Sequence, residues 1–470
     1  MAERRAFSGL LAATAVGVYL LVIAGATAAI TDAVTACTTW PLCQGPVTLE
    51  NPDLLIARGH RLTAAAVGVL TLVTVGVGLR TATRRRVKAA LVTGLALYPV
   101  QVALGAFVAT TGAAGQLPSA HLATGMAIFT SFVLALAWHL EAETGSDDDE
   151  RVANPEPDPM PGDGGEPTPT PTLSGRDRVV ATVGAYFRLM KPRLMWLLCL
   201  VAGAGMALAA DPALTSGSGL TVRTVVLTLG GGVLAIGASG TFNHVLERDI
   251  DKRMDRTSDR PIATHQIPVR NALTFGVGLA LAALALFWQV NVLAAALGLS
   301  AILFYSVVYT LVLKPNTVQN TVLGGAAGAL PALIGWAAVD GTIGLPGLAL
   351  AGVIFLWTPA HFYNLALAYK DDYEAGGFPM MPVVRGETET RKHIVYYLGA
   401  TLVASGVLAS LTSLGWLYAL TSAALGAVFL WAVVELHRKQ TEAAAFRAFH
   451  ASNAYLGMLL LAIVVDALVL

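Results

Sequence analysis

Stretches of about 20 apolar residues with scarcely a charge recur from one end of this 470-residue sequence to the other, each long enough to cross a hydrocarbon core of roughly 30 Å. With 55% hydrophobic and only 13% charged residues, the chain has too little polar surface for a soluble protein of its length. In lipid every backbone polar group must be satisfied internally, so the choice is helices or a closed barrel. The strict alternation of a barrel strand is missing, and the expectation is an all-α polytopic membrane protein. The first apolar run, 8–30, is too long for a signal-peptide core and lacks a cleavage site, so it reads as a span.

One segment breaks the pattern. From Glu141 to Asp177 the chain is acidic and rich in Pro, Gly and Thr, a composition that cannot bury enough apolar surface to offset its ordering entropy. It predicts a disordered linker, 141–184, between a domain of about four spans (1–140) and one of about nine (185–470). The first four spans are expected near 8–30, 63–79, 89–109 and 119–139. The other nine are expected near 194–212, 222–244, 269–288, 292–312, 320–339, 344–364, 394–414, 416–436 and 452–470. Basic residues at Arg4, Arg5, Arg80, Arg84, Arg85, Arg86 and Lys88, and again at Lys191, Arg193, Arg438 and Lys439, mark cytoplasmic ends. That parity puts the linker, 247–270 and 369–393 in the cytoplasm and the loop with Cys37 and Cys43 outside.

Two acidic segments carry the chemistry. In FNHVLERDIDKRMDRTSDRP, Asn243, Glu247, Asp251 and Asp255 recur at every fourth position and would share one helix face, with Asp249 between them. Like charges four apart destabilise a helix, so this stack asks for a compensating cation. Mg²⁺ suits it, since that ion takes a few carboxylates together with phosphate oxygens and water. The second segment, YKDDYEAGG, packs Lys370, Asp371, Asp372 and Glu374 together. With Arg256, Arg260, Lys314 and Lys370 on the same side, metal-binding carboxylates meet phosphate-binding cations. That combination is what ionising an allylic diphosphate requires.

These residues resemble the signature of the intramembrane aromatic prenyltransferases, and most closely the haem O synthases among them. The likeness runs from Asn243 through Asp255-Arg256-Thr257 to Arg260-Pro261. It continues in Lys191-Pro192-Arg193, Tyr309-Thr310, Leu313-Lys314 and Gln319-Asn320, and is strongest in Trp357-Thr358-Pro359-Ala360-His361-Phe362 followed by Lys370-Asp371-Asp372-Tyr373. The resemblance implies that Asn243, Glu247, Asp251, Asp371 and Asp372 bind Mg²⁺, with Asp249 and Asp255 also catalytic. It further implies that Lys191, Arg193, Arg256, Arg260, Lys314 and Lys370 hold the diphosphate. The substrates implied are farnesyl diphosphate and haem b, the product haem O for haem–copper oxidase assembly. His361, His244 and His265 read as hydrogen-bonded structural residues first.

In the N-terminal domain, His60 and His121 open two spans from the same side and could bind one haem from opposite faces. Their contexts, GHRLTAA and SAHLATG, with Gln101, Leu104-Gly105 and Thr111-Gly112, resemble half of a haem A synthase, as does Cys37-x₂-Trp40-Pro41-Leu42-Cys43. A disulfide between Cys37 and Cys43 and a haem A synthase partner are part of that implication. Ala57 stands where that family often has a glutamate, and the domain has about half the usual spans. Two other functions fit parts of the sequence: a prenyltransferase acting on a quinone precursor or lipid headgroup, and a haem-binding electron carrier or transporter. The second leaves the acidic segments without a purpose. No nucleic-acid partner is expected; the bilayer is.

Overall fold

The structure, a computed structural model, describes residues 2–28, 33, 36–41, 43, 51–81, 84–111, 115–145, 149–159, 175–215 and 219–469. Ala29 and Ile30 of the first span, Leu42, Gly112, and 146–148 and 160–174 of the linker lie outside the described residues. The elements are α1 (Ala2–Ala28), α2 (Pro52–Arg80), α3 (Arg85–Thr111), α4 (Leu117–Thr144), α5 (Gly175–Leu189), α6 (Pro192–Ala209), α7 (Val222–Leu246), α8 (Arg248–Asp251) and α9 (Val269–Trp288). They continue with α10 (Val292–Leu303), a π-helical stretch Phe304–Leu313, α11 (Lys314–Asn316), α12 (Asn320–Asp340) and α13 (Leu345–Ala368). The last are α14 (Lys370–Ala375), α15 (Met381–Arg385), α16 (Glu387–Ser410), α17 (Trp416–Lys439) and α18 (Glu442–Leu468). No strand occurs among the described residues, and 13 helices are long and apolar enough to cross a membrane. The all-α polytopic expectation holds, four spans before the acidic segment and nine after it.

Helix starts follow ordinary capping chemistry. The Asn51, Thr221, Asn291 and Thr441 side chains accept the otherwise orphaned amides of Leu54, Thr224, Ala294 and Ala444.

The chain divides into two compact units: Met1–Asp147 with Arg391–Leu470, and Asp148–Thr390. The first unit therefore joins α1–α4 to most of α16 and to α17 and α18. Its helices meet through polar contacts inside apolar packing. Tyr19 of α1 shares a 2.6 Å hydrogen bond with Ser422 of α17, and Arg438 of α17 donates to Ser8 of α1 at 2.8 Å. Lys392 of α16 donates to Glu141 of α4 at 3.1 Å, and the Trp138 indole donates to Tyr396 at 2.5 Å. In lipid such bonds hold helices together because apolar burial alone gives no preference for protein over acyl chain.

The second unit holds α5–α15. Small residues set its tightest crossing: a Cβ on Gly205 of α6 would collide with the Ala332 carbonyl of α12, and one on Gly335 with the Ala202 carbonyl. The two backbones touch because neither position has a side chain.

Helix occupies the last ten residues of the segment expected to be linker, since α5 begins at Gly175. Residues 149–159 carry no helix or strand, but they are hydrogen-bonded to the turn before α16 and are not free of the fold.

If unit 1 is as intimate as these bonds make it, a chain cut after Gly164 should remain one particle. An affinity tag on the N-terminal piece should pull down the C-terminal piece from detergent in equal amount; separation of the two would contradict this packing.

Candidate active site

Helix α7 ends at Leu246, and Glu247 has already left helical geometry before the single turn of α8. Two backbone bonds still carry the i to i+4 register across the break, Glu247 N to Asn243 O at 2.9 Å and Asp251 N to Glu247 O at 2.8 Å. Asn243, Glu247 and Asp251 are therefore stacked as the spacing predicts, and all three are buried. The register stops there. Asp255 lies in the following turns with an exposed side chain, so the four-residue face expected from the sequence is a three-residue face.

The compensating charge comes from the protein itself. Lys314 donates to Glu247 Oε1 at 2.6 Å, and Arg260 grips both oxygens of Asp251 at 2.7 and 2.9 Å while standing 3.9 Å from Glu247 Oε2. Lys191 donates to the Asn243 carbonyl and, at 3.4 Å, to the Tyr305 hydroxyl. The Asn243 amide in turn donates to Thr310 at 3.2 Å. Burial raises the Asp251 carboxyl, and Arg260 offsets only part of that. Burial acts on Glu247 in the same sense, but Lys314, Lys191 and Arg260 together hold it below the ordinary carboxylate value. Burial also lowers the Lys191 ammonium, with help from Arg260, to about 7.

Two backbone features aim these groups. Lys191 adopts left-handed geometry (φ 54°) immediately before Pro192, a conformation a lysine holds only where its surroundings impose it. Gly240 of α7 makes the room, since a Cβ there would lie 2.9 Å from the Leu189 carbonyl and 3.2 Å from Lys191 Cγ. The π-helical stretch rotates Tyr305 and Thr310 towards Lys191 and Asn243 and delivers Lys314 at its end. Single π-turns inside helices recur at functional sites for this reason. The sequence marks Thr310 only through the resemblance at Tyr309-Thr310, and Tyr305 not at all. The aromatic-hydroxyl pattern before Lys314 was visible, but its rotation was not.

The second acidic turn docks on the first. Asp372 accepts the backbone amides of Asp255 and Arg256 at 3.1 and 3.2 Å, and Arg256 lies over the rings of Tyr369 and Tyr373 at 4.9 and 5.4 Å. Asp249 is exposed beside Arg248 and Lys252, Asp371 and Arg193 are exposed, and Lys370 faces Glu387 at 3.6 Å. His361 stacks on Trp357 with ring centroids 4.2 Å apart. His244 is buried, with no partner for Nδ1 among the described residues.

Among the described residues no group of three or more His, Cys, Asp or Glu side chains is gathered to hold a metal alone. The donor set is nonetheless of the kind Mg²⁺ uses, one or two carboxylates with the remaining positions left to phosphate and water. Glu247, Asp251 and the Asn243 carbonyl fit it.

In the first unit, His60 and His121 each have a buried Nδ1 without a hydrogen-bond partner among the described residues. Each ring lies against a glycine of the neighbouring helix, His60 on Gly25 of α1 and His121 on Gly105 of α3. Gln101 approaches His121 Nε2 at 3.4 Å. Cys37 and Cys43 form a disulfide, and Arg58 and Arg61 on either side of His60 bind the carbonyls of that loop at 2.6 to 3.2 Å.

Residues 196–459 match the UbiA prenyltransferase family. The fold agrees: digeranylgeranylglyceryl phosphate synthase superposes with a TM-score of 0.51 at 16% identity, covering 62% of this chain and all of that one. The chain belongs to the UbiA prenyltransferase family. Within it, the chain is 76% identical over its full length to the protoheme IX farnesyltransferase of Haloarcula marismortui, all of which is covered. It is 66% identical to protoheme IX farnesyltransferase 1 of Natronomonas pharaonis over 98% of each chain. A shorter relative, the protoheme IX farnesyltransferase of Nocardia farcinica, is 45% identical over 295 residues, 62% of this chain and 92% of its own. These similarities put the chain among the protoheme IX farnesyltransferases.

Arg260→Ala should leave Asp251, 1% exposed, as a buried carboxylate without its main partner. Such a loss costs roughly 3 kcal/mol, and the thermal unfolding midpoint in detergent should fall accordingly. A midpoint equal to the parent's would contradict the pairing.

Proposed function

We propose that this chain transfers the farnesyl group of farnesyl diphosphate to a vinyl group of haem b, with addition of water, giving haem O and diphosphate. The C1–O bond of the donor breaks, a carbon–carbon bond forms to the vinyl terminus, and water adds its hydroxyl to the inner vinyl carbon and releases a proton. The observation that carries the reading is the buried Glu247–Asp251 pair ringed by Lys191, Arg260 and Lys314 at the end of an apolar bundle. The names of the full-length relatives support haem as acceptor.

The residues divide the work by charge. Lys191, Arg260 and Lys314 can each turn from a carboxylate or amide to a diphosphate oxygen, and Arg256 stands next to them. The aromatic and aliphatic walls of the bundle exclude water from the allylic carbon until the new bond has formed. Mg²⁺ held by Asn243, Glu247 and Asp251, with Asp371 and Asp372, would supply further positive charge to the departing diphosphate. The basic residues at Lys191 and Arg193 support a cytoplasmic setting for the acidic segments by the positive-inside rule.

The domain reading goes with it: 185–470 as the prenyltransferase, 141–184 as the connection and 1–140 as a haem-binding bundle. The Nocardia relative supports the first, because it matches over about the length of 185–470. The Nδ1 atoms of His60 and His121, buried and without a hydrogen-bond partner among the described residues, support the last, since a pair of imidazoles in one bundle is what axial haem ligation needs.

Purified protein given haem b, farnesyl diphosphate and Mg²⁺ should yield a haem whose mass rises by one farnesyl group and one hydroxyl group. Asp251→Ala and Asp371→Ala should insert normally and lose more than about a hundredfold in rate, as expected for a lost ligand at the ionising centre. Turnover near the parent's at saturating Mg²⁺ would refute the assignment.

For the haem-binding bundle, the full-length protein as isolated should show a low-spin bis-imidazole spectrum. His60→Ala or His121→Ala should turn it high-spin or empty it, while His139→Ala should not. An unchanged spectrum in the His60→Ala, His121→Ala double variant excludes that site.

A further inference from the structure

We infer that residues 149–158, in the acidic segment between the two groups of spans, are a strap that positions the second acidic turn for prenyl transfer. The inference rests on the function proposed above, because it assigns the strap a part in that reaction.

Four kinds of contact carry it. Asp149 Oδ2 accepts the Thr388 amide at 2.9 Å, so a carboxylate from a distant part of the chain supplies the cap for the first turn of α16. Val152 N donates to Val383 O at 2.9 Å, and Asp158 N to Ala375 O at 2.8 Å, so the strap is bonded on both sides of the 376–382 turn. Val152, like Ile250, also packs on an apolar cluster that joins Met254 of the first acidic segment to Tyr373, Phe378 and Met380 of the second. Finally, two glycines, one in the turn and one just before α16, hold positive φ where the strap passes. Gly377 (φ 69°) would place a Cβ 2.7 Å from Pro157, and Gly386 (φ 86°) one 2.8 Å from Asp149 Oδ2.

The mechanical consequence is direct. Asp371 and Asp372 lie on α14, and the turn that follows α14 is tied to the strap at Ala375, Gly377 and Val383. Releasing the strap frees the far side of that turn and loosens the seat of Asp372 on the 255–256 amides. Pro155 and Pro157 suit the task, since proline pre-sets extended backbone and lowers the entropy lost on docking.

The test uses full-length protein with Asp149→Ala, Asp149→Asn, and a Gly/Ser replacement of 152–158 that keeps the length. Each is read by KM for farnesyl diphosphate, by kcat, and by hydrogen exchange in 370–388. Asp149→Ala should raise KM roughly fivefold, the equivalent of one helix cap, with kcat little changed and faster exchange in 370–388. The Gly/Ser strap should do the same to a greater degree. Asp149→Asn keeps an acceptor oxygen and should match the parent. Unchanged KM and exchange in Asp149→Ala and in the Gly/Ser strap, or equal damage in Asp149→Ala and Asp149→Asn, overturns the inference. If the parent makes no prenylated haem, the proposed function fails first, and the exchange data still report whether the strap holds the turn.

Discussion

Two carboxylates buried at the end of a membrane bundle would be untenable without partners, and the opposition of Glu247 and Asp251 to Lys314 and Arg260 organises everything around it. Neither cation is near its partner in sequence by accident of helix register. Lys314 arrives on the far end of the α10 span, and Arg260 on the turns that follow α8. In the proposed reaction the same two cations, with Lys191, would exchange a carboxylate for a diphosphate oxygen as the carboxylates take a metal. The carboxylates and cations are charge-matched, so binding as proposed would swap partners instead of creating charge in a dry place.

The rest of the second unit shapes that charged cluster. Backbone contact at Gly205 and Gly335 brings α6 and α12 together, which fixes the start of α6 where Lys191 sits. Gly240 gives the strained Lys191 backbone its room, and the π-helical stretch turns Tyr305 and Thr310 inward. Each is a departure from ideal helix geometry beside the charged cluster. Such departures persist where function outweighs local stability.

Much of the fold was legible in the sequence because its strongest constraint is one-dimensional. Apolar length decides which segments span, and 269–288 was placed to the residue. The site was legible in part. The four-residue spacing found Asn243, Glu247 and Asp251, but propensity could not reveal that the helix ends at Leu246, which turns Asp255 away. Lys191 meeting Asn243 joins residues 52 apart and is a tertiary fact. The strap was read as disordered for a sound reason, its acidic, proline-rich composition. Its anchors are mainly backbone amides and carbonyls, which leave no mark on residue choice beyond Asp149 and Val152.

The claim that the metal and the diphosphate enter this charge-matched site together is tested most directly by calorimetry. Mg²⁺ would be titrated into the detergent-solubilised protein with and without a thio analogue of farnesyl diphosphate that ionises too slowly to react. The account predicts Mg²⁺ binding at least roughly tenfold tighter with the analogue present, as reciprocal coupling requires, and the gain should vanish in Asp251→Ala. Equal Mg²⁺ affinity with and without the analogue would contradict it.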